Sequence, residues 1–186
     1  MHVRRLADVP RVRWRNDGGF TREIVSEPAD TVDFVWRVSV AEVDTSGAFS
    51  EFHGCDRILV LLDGAGMYLR RTDNDLTVTV QPEAPITRFA GDEPICAELI
   101  DGPTTDFNLI WRRDLVNADA HCRDGCDEVV GGGAGEVAGG YVMRGLALVN
   151  DVAVPAGEAF LGNAGEALHL ECDGRLVHFL VGPIKR

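Results

Sequence analysis

The sequence predicts an all-β protein, built as a sandwich or a barrel. Short apolar segments with the two-residue alternation of β-strands recur along most of the chain, and turn residues separate them. Helical periodicity appears only around residues 6–12 and 112–122, and both segments are short. Many short strands joined by Gly and Pro turns are typical of these two architectures.

The strand signals are clearest in the first part of the chain. Residues 32–43 alternate between a face with four apolar side chains and a face that carries Arg37 and Ser39. An arginine inside so apolar a strand needs a partner, either a carboxylate or a ligand. Further strands are predicted at residues 57–62, 76–82, 95–100 and 107–111.

The glycine-rich stretch 131–140 interrupts this pattern. Its glycine density is too high for the interior of an element, so we predict a flexible connection. Short strands resume after it. We therefore predict two lobes, residues 1–125 and residues 126–186, with the glycine-rich connection at the start of the second; the two lobes are also compatible with one fold unit.

The charge of the chain limits its partners. The 186 residues include 30 acidic and 18 basic side chains, for a net charge of −12, and the 45% hydrophobic content is that of a globular protein. This charge argues against binding to nucleic acid or to an anionic membrane. Residues 1–22 nevertheless carry six arginines against two aspartates, a local surplus suited to a small anion. The chain has no lysine before Lys185, which excludes a P-loop lysine.

The cysteines and the N-terminus predict a cytoplasmic protein. The first residues have charge but no apolar core of a signal peptide, and no apolar run has membrane-spanning length. Five cysteines, an odd number, suggest reduced thiols. The short cluster HCRDGC (121–126) fits a polar loop better than a zinc site, because its spacing is not that of a zinc knuckle.

A hairpin with Asp173-Gly174 as its turn is predicted near the C-terminus. In that register His169 faces His178, and Glu171 shares their face. Two histidines and a carboxylate resemble the set that binds iron and similar metals. A solvated polar face of the hairpin is the favoured alternative.

Polar residues in the first part of the chain point to a small-carboxylate site. The turn within WRNDGGFTREI (14–24) can expose backbone N–H groups to an anion. Guanidinium groups match carboxylates with two parallel hydrogen bonds, and amides and hydroxyls orient them. Each arginine alone is also compatible with a structural salt bridge. The set that could form the site together is Arg37, Arg57, Asn16, Thr21 and Asn108.

The same stretches resemble the HutD/Ves family of bacterial cupin-like proteins. The matching segments are, in order, WRNDGGFTREI, WRVSVAEV, SGAFSEFHGCDR, LDGAG, FAG and DFNLIWRR, within residues 3–115. One departure is Asp17, which stands where the family usually has glycine and adds a negative charge beside the supposed anion site.

The resemblance implies a two-lobed cupin-like barrel, a bicupin, in a single chain with few short helices. It also implies a binding or regulatory protein linked to histidine utilisation, with urocanate, formylglutamate or formate as candidate ligands. The residues that it places at the pocket are Asn16, Thr21, Glu23, Arg37, Arg57 and Asn108.

The cupin comparison argues against a metal. Arg57 and aliphatic residues stand where the first histidines of a metal cupin would be, and Phe160 replaces another. We therefore expect neither metal nor cofactor, and a small anionic metabolite as partner; a homodimer is compatible with such barrels. Two alternatives stay open: an isomerase or hydrolase with Glu23 or Asp106 as general base and Arg57 as oxyanion stabiliser, and an interaction module without a ligand.

Overall fold

The structure is a computed structural model that describes residues 1–29, 33–74 and 76–184. Within these ranges it contains 17 β-strands, one 3-10 helix and no α-helix, which confirms the all-β prediction. Val32, at the start of one predicted strand, and Lys185 lie outside the described residues. In the described part of the chain, no helix has the length and hydropathy of a membrane span.

The strands are short in the first two thirds of the chain, and two of the last six are long. A 3-10 helix, Leu6–Asp8, follows the first strand. In chain order the strands are β1 (His2–Arg5), β2 (Arg11–Arg13), β3 (Gly19–Glu27), β4 (Trp36–Val43), β5 (Gly47–Ala48), β6 (Cys55–Asp63), β7 (Met67–Arg71), β8 (Thr77–Val80), β9 (Ile86–Ala90), β10 (Ile95–Leu99), β11 (Thr104–Arg112), β12 (Val116–Gly131), β13 (Val137–Arg144), β14 (Leu146–Val149), β15 (Val152–Pro155), β16 (Glu158–Leu161) and β17 (Ala167–Pro183).

The chain divides into two compact units. The first unit is Pro10–Asp114, and the second unit consists of Met1–Val9 with Leu115–Arg186. The predicted boundary after residue 125 therefore falls inside β12 rather than between units. β1 belongs to the second unit because it pairs with β16.

Two antiparallel sheets form the first unit. Their strand orders are β2-β3-β4-β11-β6-β9 and β5-β10-β7-β8. The predicted alternation of β4 is present, since Trp36, Val38 and Val40 are buried. Ser39, on the other face of β4, is buried as well, so this central strand is covered on both sides. The strands of both sheets contribute to one apolar cluster: Val43, Leu59, Leu61, Met67, Leu69, Val80, Ile95 and Ala97.

One seven-stranded sheet forms the second unit. Its order is β1-β16-β13-β17-β14-β15, and β12 pairs with β17. The helix hinted at over residues 112–122 and the polar loop over 121–126 are both wrong, because β12 runs through them. Pairing with β17 along nearly its whole length overrides the weak local helical preference, and Ala120 becomes fully buried.

The glycine-rich segment is not a flexible connection throughout. Only residues 132–136 form a turn, and β13 begins at Val137. Gly139 and Gly140 lie within β13 because aromatic rings occupy the space of a side chain. A Cβ at Gly139 would lie 2.6 Å from Cζ of Phe179, and one at Gly140 would lie 2.4 Å from Cζ of Phe160.

The predicted C-terminal hairpin is also wrong. β17 is one strand of 17 residues that continues through Gly174. Gly174 is required there by a close approach rather than by a turn, since a Cβ would lie 1.9 Å from the carbonyl oxygen of Arg144.

The histidines of that hairpin consequently do not pair. His169 lies opposite Val129, whereas His178 lies opposite His121. The less favoured alternative, a metal triad of His169, Glu171 and His178, is therefore not assembled. Among the described residues, no group of three His, Cys, Asp or Glu side chains could hold a metal ion.

Candidate functional site

The first unit contains a cavity of about 440 Å³ that is rich in arginine. No aspartate or glutamate is found among the described residues that line it. Its positive charge contrasts with the net charge of −12 of the whole chain. The lining residues are Arg13, Trp14, Arg15, Asn16, Thr21, Arg37, Ser39, Ala41, Ala48, Phe49, Ser50, Phe52, Arg57, Asn108 and Ile110.

The cavity brings together five of the six residues predicted for the pocket: Asn16, Thr21, Arg37, Arg57 and Asn108. Glu23, the sixth, does not line it. The Glu23 side chain is 46% exposed, and its Oε2 lies 3.9 Å from Nη1 of Arg37. An irregularity in the pairing of β3 with β4, directly after Glu23, shifts the register, and regular pairing resumes at Val25.

The register of three neighbouring strands explains why the polar side chains meet. Ile110 of β11 lies opposite Arg37 of β4 on one side and opposite Arg57 of β6 on the other. Directly opposite residues in antiparallel strands point to the same face, and so do residues two positions apart. Asn108, two positions before Ile110, therefore faces the same space as both arginines.

Arg57 is held rigidly at the cavity wall. Its Nε and Nη2 donate hydrogen bonds to Oδ1 of Asn108 at 2.9 and 2.5 Å, and Nδ2 of Asn108 donates to the carbonyl oxygen of Asp106 at 3.2 Å. The guanidinium lies 4.7 and 5.3 Å from the ring centres of Phe49 and Phe89. Burial lowers the pKa of Arg57 to about 10, so it remains charged near neutral pH.

Arg37 lies beside Arg57 with fewer partners. Its guanidinium is 4.8 and 5.1 Å from the ring centres of Phe34 and Phe52. Burial lowers the pKa of Arg37, and the charge of Glu23 opposes this shift. Nε of Arg37 is buried without a hydrogen-bond acceptor among the described residues. An unsatisfied, charged donor is costly to bury.

The predicted turn is present beside the cavity. Asn16 Oδ1 accepts a hydrogen bond from the backbone N–H of Gly18 at 3.1 Å, and Trp14 Nε1 donates to Thr21 Oγ1 at 2.7 Å. Asp17, the departure from the family pattern, adopts a left-handed φ of 57°. Its carboxylate binds Nε of Arg13 at 2.7 Å, which offsets its negative charge locally.

Asp106, the other predicted general base, lies two positions before Asn108 on β11 and on the same face of that strand. It is completely buried and does not line the cavity. Thr104 Oγ1 donates to its Oδ2 at 3.0 Å, whereas its Oδ1 is buried without a partner among the described residues. Burial raises the pKa of Asp106 to about 7, although Thr104 and the charge of Arg57 both act to lower it.

The aromatic part of the cavity was not predicted. Phe49 and Phe52 pack against the two buried arginines, and both come from the segment just before β6. Arg13 was not singled out either. The available signal was two phenylalanines three residues apart, shortly before a strand whose second and third residues are charged.

Comparison with known proteins identifies the family of the chain. The HutD family matches residues 6–179. Protein Ves of Citrobacter koseri is 34% identical over 162 residues, which span 87% of this chain and 82% of Ves. An uncharacterised 21.2 kDa protein from the hutC 3' region of Pseudomonas putida is 36% identical over 131 residues; the match spans 67% of this chain and 65% of that protein, just under two thirds of its length.

A solved structure extends the match over the whole chain. HutD from Pseudomonas fluorescens SBW25, solved in a formate condition, superposes with a TM-score of 0.86 at 28% identity and 99% coverage of both chains. The fold of the present chain is accordingly cupin-like, as predicted. The chain belongs to the HutD family.

Proposed function

We propose that this protein is a metal-free, cytoplasmic binding or regulatory protein for a small carboxylate metabolite. The observation that carries the proposal is the pair Arg37 and Arg57, two largely buried guanidinium groups facing a cavity that no described carboxylate lines. Two like charges held together favour an anion between them, because Glu23, 46% exposed and 3.9 Å from Arg37, compensates them only in part.

The size and the surroundings of the cavity support a small ligand. A volume of about 440 Å³ is in the range of small-metabolite sites. The phenylalanines Phe49 and Phe52 add apolar faces on which a planar group can lie. The negative charge of the rest of the chain repels large polyanions, so the site selects small anions.

The family supplies the candidate ligands. A relative from Pseudomonas putida lies in a hutC 3' region, and the structure of HutD from Pseudomonas fluorescens was obtained in a formate condition. The family resemblance implies urocanate, formylglutamate and formate, and all three carry the carboxylate that the arginines require. We therefore propose a role in histidine utilisation.

The alternative, a cupin-type enzyme acting on a small carboxylic acid, has less support. Neither Glu23 nor Asp106 lines the cavity, so neither is in a position to take a proton directly from a bound substrate. Chromatography can detect conversion of any of the three metabolites by the purified protein, and such turnover would favour the enzyme over the binding protein.

Titration calorimetry tests the proposal. The purified protein is titrated with urocanate, formylglutamate and formate, and we expect at least one of them to bind. Replacing Arg57 or Arg37 with glutamine should weaken that binding at least about tenfold, since each substitution removes a charge-assisted bond. Arg70→Gln is the matched control, because Arg70 is exposed on β7 and outside the cavity. Absence of binding, or equal affinity in all variants, contradicts the proposal.

A further inference from the structure

We infer that Asp106 is a positioning residue that takes up a proton when an anion enters the cavity, so that ligand binding is coupled to pH. This inference rests on the proposed function, because it requires an anionic ligand beside Arg57. Asp106 is buried and does not line the cavity, so its role would be to respond to the ligand without contacting it.

The immediate surroundings of Asp106 are unsuitable for a permanent charge. It lies opposite Ala41 on β4 and opposite Leu61 on β6, and neither can donate a side-chain hydrogen bond. The hydroxyl of Thr104 binds one carboxyl oxygen, and the other oxygen is buried and unpartnered among the described residues. An ionised carboxylate in this place is only partly compensated, and this favours the neutral form.

Among the described residues, Arg57 of β6 is the charged group that acts on the Asp106 carboxyl, and its charge favours the ionised form. The neighbouring strands also carry Arg37 on β4 and Glu23 on β3, which lie 3.9 Å from each other. The residues packed on β4 and β6 from the second sheet belong to the apolar cluster around Met67 and add no charge.

Arg57 thus connects Asp106 to the cavity. While the cavity is empty, Asp106 is the carboxyl group whose charge Arg57 favours. A bound carboxylate would place a second negative charge beside the same guanidinium, so the ionised form of Asp106 would lose part of its stabilisation. Binding then favours a proton on Asp106. By the same linkage, the affinity for the anion is highest at a pH where Asp106 is already neutral in the empty protein. The affinity falls as the pH rises and Asp106 becomes ionised before the anion binds.

Calorimetry in buffers with different ionisation enthalpies measures this coupling. At about pH 8, the wild-type protein titrated with the tightest of the three carboxylates should take up a proton, up to about one per ligand, and its Kd should rise with pH by up to about tenfold per unit. Asp106→Asn carries a permanently neutral amide, so we expect no proton uptake, a Kd nearly independent of pH, and tighter binding than wild type at about pH 8. A residue with a purely structural role would not produce tighter binding when replaced.

The matched control is Asp63→Asn, the same chemical change at an exposed position on the end of β6. It should keep the proton uptake of the wild type. Buffer-independent heats in the wild-type protein, with binding intact, overturn the inference and leave the proposed function standing. Absence of binding overturns both. The wild-type experiment decides the question even if Asp106→Asn does not fold.

Discussion

Arg57 donates two hydrogen bonds, from Nε and Nη2, to a single atom, Oδ1 of Asn108. This arrangement fixes the plane of the guanidinium, and Nη1 takes no part in it. The amide of Asn108 is neutral, so the positive charge of Arg57 is oriented without being neutralised. Orientation without neutralisation is what a site for an anionic ligand requires.

Replacing Asn108 tests this relationship. Asn108→Leu leaves the buried guanidinium without its acceptor, and we expect a loss of about 1–3 kcal/mol in the free energy of unfolding together with weaker ligand binding. Asn108→Asp supplies a charged acceptor instead, and should retain stability while abolishing anion binding. Urea unfolding and calorimetry separate the two effects. Carboxylate binding by Asn108→Asp at wild-type affinity would be incompatible with this account.

Glu23 should oppose ligand binding rather than assist it. Its carboxylate lies 3.9 Å from Arg37 and competes with an anion for the same guanidinium. The side chain is 46% exposed, so the competition is weak, and Glu23→Gln should lower the Kd about two- to threefold at low salt. The gain should shrink at high ionic strength. A raised Kd would instead indicate that Glu23 contacts the ligand.

Strands could be predicted from the sequence where their own residues alternate between apolar and polar side chains. The alternation of apolar and polar residues around Trp36 and Val38 indicates a strand with a buried face, and it predicted β4 correctly. The long second-unit strands could not be predicted in this way, because their glycines reflect contacts with distant strands. Gly174 resembles a turn residue in the sequence, but it is small because the backbone of Arg144 passes close to it.

The residues of the candidate site likewise differ in how far their own strand predicts them. Arg37 stood out because a charge inside an apolar strand requires a partner. The pairing of Arg57 with Asn108 depends on β11 lying beside β6, which their separation of 51 residues conceals. The family resemblance, rather than the local pattern, indicated that these residues lie together.

The glycines of β13 should be essential for stability. A methyl group at Gly140 would lie 2.4 Å from Cζ of Phe160 and 2.4 Å from the carbonyl oxygen of Val177. The backbone of the paired strand β17 cannot move away without disturbing the sheet. We expect Gly140→Ala to reduce the free energy of unfolding by about 1–3 kcal/mol, as overpacking does. Gly47→Ala is the control, since nothing lies within 4 Å of the added methyl. Equal stability of the two variants in urea would refute the packing argument.

His178 should make the protein less stable in mild acid. It is 5% exposed, its ring centre is 5.3 Å from that of His121, and its Nε2 lies 3.3 Å from Oε1 of Glu128. Burial lowers the pKa of His178, with smaller contributions in the same direction from His121 and Arg123, although Glu128 acts to raise it. The unfolded chain therefore binds this proton more readily than the folded protein.

The free energy of unfolding should therefore fall as the pH decreases. His178 costs no stability while it is neutral in both states. As pH falls through the unfolded value near about 6.5, protonation of the unfolded chain reduces the free energy of unfolding. His178→Gln should flatten the decline between about pH 7 and pH 5, whereas His2→Gln, at an exposed position on β1, should leave it unchanged. Thermal unfolding across this range measures the effect. Parallel curves for the wild type and His178→Gln would show that Glu128 keeps His178 charged in the folded protein.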